Sequence, residues 1–292
     1  MLLVGVLLML AGDFMFALND AMGKWLLASL SVGQLVFVRS FGMFLILGPM
    51  IARQGPRKLF TFEQPLIQFL RIVATAADTA LFYAALATLP LADVMSFYMA
   101  GPIYVAALSH FMLGERVGWR RWMAILIGFI GVLIILKPTG TLSAGSLYAL
   151  IGSIGFGFSI IFSRMLRGVS DTNLVTWQTV ATMIIGGVMS IGNWLPGTAI
   201  DWVGTLAMGV VAAAAHLLIV RALKLAPAST LAPLHYTLLL WAALFGWAFF
   251  NDVPTARIWL GSAVIVLAGL FIVHRQNVVA TVPPENVPKG VN

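Results

Sequence analysis

From Trp122 to Leu136 the chain runs through fifteen residues without one charged, amide or hydroxyl side chain. A segment of this kind has no polar face to offer water, and it has counterparts along the whole chain. Apolar runs bounded by Pro, Gly or charge fall at about 3–27, 32–52, 66–88, 92–113, 119–136, 145–166, 173–195, 203–222, 228–250 and 256–273, most of them near the roughly 20 residues a spanning helix needs. A transmembrane barrel requires strands of about 10 residues that alternate apolar and polar, and Trp122–Leu136 does not alternate. Only 9% of the 292 residues are charged and 61% are hydrophobic, where a soluble domain carries about 25% charged residues. That excludes a soluble enzyme or a nucleic-acid binder, and the net charge of +7 reads as basic loops facing anionic lipid. With no cysteine there is neither disulfide nor thiolate chemistry. The first run, from Leu2, lacks a basic leader and a small-residue cleavage site, so it is expected to be a full span. Residues 277–292 are polar and Pro-rich and are expected to be a disordered tail.

Loop charge sets the orientation. With the N-terminus in the cytoplasm and loops assigned alternately, cytoplasmic segments hold Arg53, Arg57, Lys58, Arg71, Arg116, Arg120, Arg121, Arg164, Arg167, Arg221, Lys224, Arg275 and Lys289. External segments hold only Lys24, Lys137 and Arg257, while Arg39 lies within a span. This asymmetry follows the positive-inside rule and predicts both termini in the cytoplasm, in a cytoplasmic (inner) membrane.

The chain also repeats itself. A shift of 137 residues places Pro90 on Pro227, Ala85-Leu86 on Ala222-Leu223, Ala106 on Ala243, Arg120 on Arg257 and Trp122 on Trp259. Thr75-Ala76-Ala77 falls on Ala212-Ala213-Ala214, small residues that let helices approach closely in lipid. A shift of 140 places Gly12, Phe16 and Lys24 on Gly152, Phe156 and Arg164. Five spans per unit is an odd number, so the second unit must insert upside down. The expected fold is all-α and membrane-embedded, with ten transmembrane helices as two inverted five-helix repeats, residues 1–138 and 139–276. Inverted repeats around a midplane site are a transporter architecture.

Charged residues inside a bilayer cost about 2.5–3.5 kcal/mol each on insertion scales and need a partner or a wet cavity. Asp13 and Asp20 are two helical turns apart, and Asp20 and Lys24 form an i,i+4 pair, expected as an intrahelical ion pair near the outer interface. Asp13 requires either Arg39 or a water-filled cavity, and Arg39 has Asp78 as a second possible partner. Trp25, Trp119, Trp122, Trp194, Trp202 and Trp259 lie near span ends, as an interfacial belt demands. Tyr98, Tyr104, His235, Tyr236 and Trp241 lie inside spans interrupted by Pro102 and Pro233, with Tyr98 opposite His235 and Tyr104 opposite Trp241 at the shift of 137. Together with Phe16 these are the candidate substrate contacts; Asp13, Asp20, Lys24, Arg39 and Asp78 are the candidate charged or gating residues. His110 and His216 read as structural. The four histidines are scattered and no HExxH occurs, so neither a metal nor catalytic residues are expected. Without a P-loop the chain does not consume ATP, and no cofactor is expected.

The stretch 85–138 carries a distinctive set of features: Pro90 at a helix entry, mid-helix Pro102, the Leu113-Gly114-Glu115-Arg116 turn, and a Gly128/Gly131 helix ending at Pro138. With FALNDAMGKWL in the first helix and Arg39 early in the second, it resembles the paired EamA-type repeats of the drug/metabolite transporter superfamily. The second half resembles that pattern more loosely, with Asn251-Asp252 where Gly114-Glu115 stands and no counterpart to Arg39. The resemblance implies a non-enzymatic carrier working by alternating access, most like the amino-acid exporters and among them those for aromatic amino acids, or else a carrier of drugs or other metabolites. A polytopic membrane enzyme is the rival class. The aromatic walls suit an amphipathic small molecule. Little fixed positive charge beyond Arg39 favours a neutral zwitterion over a nucleotide sugar.

Overall fold

The computed structural model describes residues 2–60, 64–112, 119–136, 143–166, 168–225, 234–235 and 237–281. Among these the chain forms eleven α-helices and no strand. They are α1 Leu2–Leu26, α2 Val32–Gln54, α3 Pro65–Leu86, α4 Leu91–Tyr98, α5 Gly101–Met112, α6 Trp119–Leu136, α7 Ala144–Met165, α8 Asp171–Ser190, α9 Ala199–Leu225, α10 Thr237–Phe250 and α11 Ala256–Thr281. A 3₁₀ turn, Pro56–Phe60, joins α2 to α3.

Local chemistry sets the helix ends. Ser31 caps α2 in a capping box: its Oγ accepts from the Gln34 N–H at 3.4 Å, and Gln34 Oε1 accepts from the Ser31 N–H at 3.0 Å. The same Gln34 amide donates to Leu195 O and accepts from Leu195 N–H, which fastens the start of α2 to the segment after α8. Ser170 caps α8 through the Asn173 N–H, and Pro65 opens α3 at its first turn. Asn251 closes α10 in the left-handed conformation (φ 55°), which asparagine tolerates better than most residues.

The run expected as one helix at 92–113 is two, α4 and α5, because Pro102 has no N–H to give the Tyr98 carbonyl and the ladder lapses at Met99-Ala100. The last helix reaches Thr281, five residues into the expected tail, and residues 282–292 lie outside the described residues. The start of the run at 228–250, with Pro233, lies outside the described residues.

The surface is inverted relative to a water-soluble protein. Leu3, Leu45, Leu66, Phe111, Ile191 and Trp247 are exposed, while Asp13, Asn19, Gln34, Arg39, Gln68 and Arg71 are buried. Hydrocarbon is the solvent that makes this arrangement stable. The stretches Leu3–Leu26, Val32–Gln54, Pro65–Leu86, Ala144–Ser163 and Ala199–Ile219 are long and apolar enough to cross a membrane, and Leu91–Val105, Trp122–Gly131, Thr237–Phe250 and Ala256–Ala268 are shorter apolar helical stretches. The 20-residue α8 is less apolar because Thr172, Asn173, Thr176, Gln178, Thr179 and Thr182 all point inward and are buried.

Packing is by pairs distant in sequence: α1 on α9, α3 on α7, α2 on α8 and α9, α3 on α8, α6 on α11, α5 on α7, and α1 and α4 on α10. The α2–α9 crossing has no side chains at its centre. A Cβ on Gly209 would strike the Arg39 carbonyl oxygen and stand 2.7 Å from Gly42 Cα; one on Gly42 would strike Leu206 O. The small-residue segments lie inside the bundle, with Ala76, Ala212, Ala213 and Ala215 completely buried.

Candidate functional site

Helix α1 turns Asp13, Asn19 and Asp20 into the bundle, and all three are buried. Asn19 is the hub. Its amide donates to Asp20 Oδ1 at 2.8 Å and to the Tyr83 hydroxyl at 2.8 Å, and its carbonyl oxygen accepts from Arg39 Nε at 3.2 Å. The Arg39 guanidinium also lies over the Tyr83 ring, 5.6 Å from its centroid. Arg39 and Asp20 are therefore joined through one neutral amide and do not touch. Arg39 does not pair with Asp78 either: Asp78 Oδ1 accepts from the Tyr98 hydroxyl at 2.6 Å. Gly152 makes room for that hydroxyl, since a Cβ there would lie 2.6 Å from it. Phe82 stands edge-on to both Tyr83 and Tyr98, and Phe156 flanks Tyr98.

Asp13 does not pair with Arg39 among the described residues. Its Oδ1 lies 3.0 Å from His235 Nδ1, with the Thr237 hydroxyl 3.3 Å from Oδ2. This contact ties α1 to the start of α10 across 222 positions of sequence, which is why local spacing could not reveal it. Trp241 packs nearby, edge-on to Phe14 of α1 at 5.0 Å. The expected Asp20–Lys24 ion pair is likewise replaced. Lys24 Nζ donates to Leu86 O at 3.1 Å and Leu89 O at 2.7 Å, closing the end of α3, where carbonyls lack helical partners and a cation is favoured. Tyr104 sits against Gly157 of α7. Its hydroxyl is buried; Ser153 lies beside it, but no hydrogen bond of sound geometry links them, and the Ser153 hydroxyl donates to Leu150 O. Tyr236 lies outside the described residues.

A second polar group was missed because Arg71 counts as a loop charge in the sequence. It is buried within α3. Nε donates to Ser163 Oγ at 2.7 Å, Nη1 to Leu174 O at 3.1 Å and Nη2 to Gln178 Oε1 at 3.3 Å. Gln178 passes the polarity on, its Nε2 lying 3.1 Å from His216 Nε2. His216 Nδ1 is 2.9 Å from Ala212 O, an acceptor only, so Nδ1 carries the proton and Nε2 accepts from Gln178. Phe16 packs edge-on against the His216 ring at 4.7 Å, linking the two groups. The structural role expected for His216 agrees with this fully bonded position. One sequence signal pointed here: a shift of 139 places Arg39 on Gln178.

Of the expected site residues, Asp20, Arg39, Asp78 and Tyr98 gather in one region with Asn19 and Tyr83, and Phe16 stands between it and Arg71. Asp13, His235 and Trp241 form a separate tie to α10.

An all-helical bundle with a hydrocarbon-facing exterior and charged groups held inside defines a multi-pass membrane protein built like a carrier. The chain belongs to the EamA-like transporter family, whose pattern it matches at residues 3–137 and again at 143–274. That family is part of the drug/metabolite transporter superfamily, and this is a membrane transporter of small metabolites. Similar proteins include a riboflavin transporter of Rhizobium johnstonii (28% identical, 94% of this chain and 92% of the relative). An S-adenosylmethionine uptake transporter of Rickettsia bellii is 26% identical over 88% of this chain and 89% of its own length. The pseudopaline exporter of Pseudomonas aeruginosa is 30% identical over 90% and 94%. A crystal structure superposes with a TM-score of 0.66 over 95% of this chain and 99% of that one, at 15% identity, a likeness of fold. None of these three relatives is named as an amino-acid exporter, so the resemblance to that group narrows to the family.

Proposed function

We propose that this protein is a secondary transporter that exports zwitterionic small metabolites, neutral and aromatic amino acids among them, by alternating access between two inverted five-helix units, residues 1–138 and 139–276. It would make ten spans in the cytoplasmic membrane with both termini in the cytoplasm. The observation that carries the solute class is the Asn19 amide. It presents an acceptor to Arg39 and a donor to Asp20, the complementarity a zwitterion offers with its carboxylate and ammonium groups. Neither Arg39 nor Arg71 contacts a carboxylate among the described residues, and Asp20 and Asp78 are held by an amide and a hydroxyl. Buried charges answered only by neutral partners leave their strongest interaction for an incoming ion. Phe82, Tyr83, Tyr98 and Phe156 supply aromatic surface for the apolar part of the solute.

The helix pairing supports the inverted arrangement. Exchange α1 with α7, α2 with α8, α3 with α9, α5 with α10 and α6 with α11. The contact of α1 with α9 becomes that of α7 with α3, α2 with α9 becomes α8 with α3, and α5 with α7 becomes α10 with α1, all of which occur. The pairs α2–α8 and α6–α11 map onto themselves. The polar ties differ, however: Asp13 of α1 meets His235, whereas Asp78 of α3 meets Tyr98.

Counterflow of labelled L-phenylalanine in proteoliposomes tests the reading. Saturable exchange, competed by other zwitterionic amino acids and not by their amides, is expected, with Asn19→Leu abolishing it. Exchange competed equally by the amides would overturn the zwitterion assignment. Exchange of riboflavin or another uncharged solute in its place would leave the carrier and replace the solute. Covalent conversion of a solute in detergent would establish an enzyme instead.

A further inference from the structure

Between α3 and α8 an apolar groove of about 370 Å³ opens on the side away from Arg71. Phe69 and Ile72 form one wall, and Trp177, Val180, Ala181 and Ile184 the other. Pro65 and Gln68 line its end, and the Gln68 Oε1 atom is buried with no hydrogen-bond partner, although its Nε2 donates to Asn173 at 3.0 Å. The 3₁₀ turn sits at that same end. Trp177 Nε1 donates to Leu59 O at 2.9 Å, the Phe60 ring packs edge-on against Trp177 at 5.8 Å, and the Asn173 amide donates to Lys58 O at 3.2 Å. The turn displays Arg57 and Lys58 on its surface, with Arg53 in the last turn of α2. The first turn of α3 adds its own partial positive charge, because Gln64 gives its N–H groups no side-chain cap. In sequence, the segments 53–63 and 164–171 carry Arg53, Arg57, Lys58, Arg164 and Arg167 against Glu63 and Asp171.

We infer that this groove is a binding site for one anionic phospholipid. An acyl chain lies between α3 and α8, its phosphate faces Arg53, Arg57 and Lys58, and a hydroxyl of a glycerol head group satisfies Gln68 Oε1. Apolar walls alone would accept any acyl chain. The cationic turn at one end selects the charge of the head group, since each basic residue near the surface favours an anionic lipid about fivefold. Because α3 and α8 belong to different halves of the chain, the lipid bridges two elements that alternating access would move apart. The site itself depends only on the membrane location and stands whatever solute is carried.

The test uses the full chain in nanodiscs holding equal parts phosphatidylcholine and phosphatidylglycerol, followed by native mass spectrometry of retained lipid. Phosphatidylglycerol should be enriched among the adducts. Changing Arg53, Arg57 and Lys58 to Gln should remove the enrichment while leaving phosphatidylcholine adducts, and Ala181→Trp, which fills the groove, should reduce both. A photocrosslinking residue at Ile184 provides a readout in otherwise unaltered protein, with the exposed Leu240 as the remote control position. Richer capture of phosphatidylglycerol at 184 than at 240 is expected. Equal lipid composition at the two positions, or enrichment unchanged in the triple variant, would overturn the site.

Discussion

Two regions of the bundle solve the problem of packing in lipid in opposite ways. At the α2–α9 crossing, glycine meets backbone and the small residues around it are fully buried; van der Waals contact does all the holding. At the end of α4 and just ahead of α10, side-chain hydrogen bonds do the holding, Tyr98 to Asp78 and His235 to Asp13. The first kind of contact tolerates no added atom. The second tolerates substitution but loses a specific interaction, and the polar residues that can meet a solute cluster beside it. Close packing fixes the frame, and the Tyr98–Asp78 tie borders the proposed site, while His235–Asp13 holds α10 apart from it.

Substitutions sharpen this contrast. The largest effect is expected at Gly209→Val, whose added carbons collide with the backbone of α2. Loss of about 3 kcal/mol or more, seen as a collapse of thermal stability in detergent, is predicted, whereas Gly48→Ala on the same α2, with open space around it, should be neutral or slightly stabilising. Arg71→Leu comes next. It strips donors from Ser163, Gln178 and the Leu174 carbonyl at once, about 1–3 kcal/mol for each acceptor left dry, while Arg71→Lys should recover part of the melting temperature. Tyr98→Phe removes one hydrogen bond, so a stability change of only about 1 kcal/mol should accompany a clear loss of transport rate. A large melting shift with unimpaired flux there would erase the distinction between frame and site. The smallest effect is Lys24→Met, about 0.5–1 kcal/mol from uncapping α3, measured by chemical denaturation.

How much of this was legible beforehand follows the same division. Apolar runs announced α1, α2, α3, α6 and α7 to within a few residues, because helix length and hydrophobicity are local properties. Arg39, Asp20, Asp78 and Tyr98 were visible as polar residues in the wrong solvent, and they do gather. Their partners were not visible. Lys24 sits four residues after Asp20, yet the free carbonyls of Leu86 and Leu89 hold it, and no spacing rule encodes a helix end arriving from 62 positions away. Arg71 was hidden by its place near a span boundary, where loop and interior differ by a single helical turn. Asn19 was overlooked since neutral amides seldom stand out beside an aspartate, although it is the group that connects Asp20 to Arg39.

The glycine crossing of α2 and α9 also limits how the bundle can move. Where two backbones touch with nothing between them, sliding requires the chains to separate, but turning about the touching point does not. Gly209 lies ten residues into α9, about 15 Å from its start by helical rise. A few degrees of rotation at that fulcrum sweep the helix tip through about an ångström while Arg39, three residues from Gly42, hardly shifts. If the proposed alternating access operates, the guanidinium beside the hub would stay put as the mouths of the molecule open and shut around it.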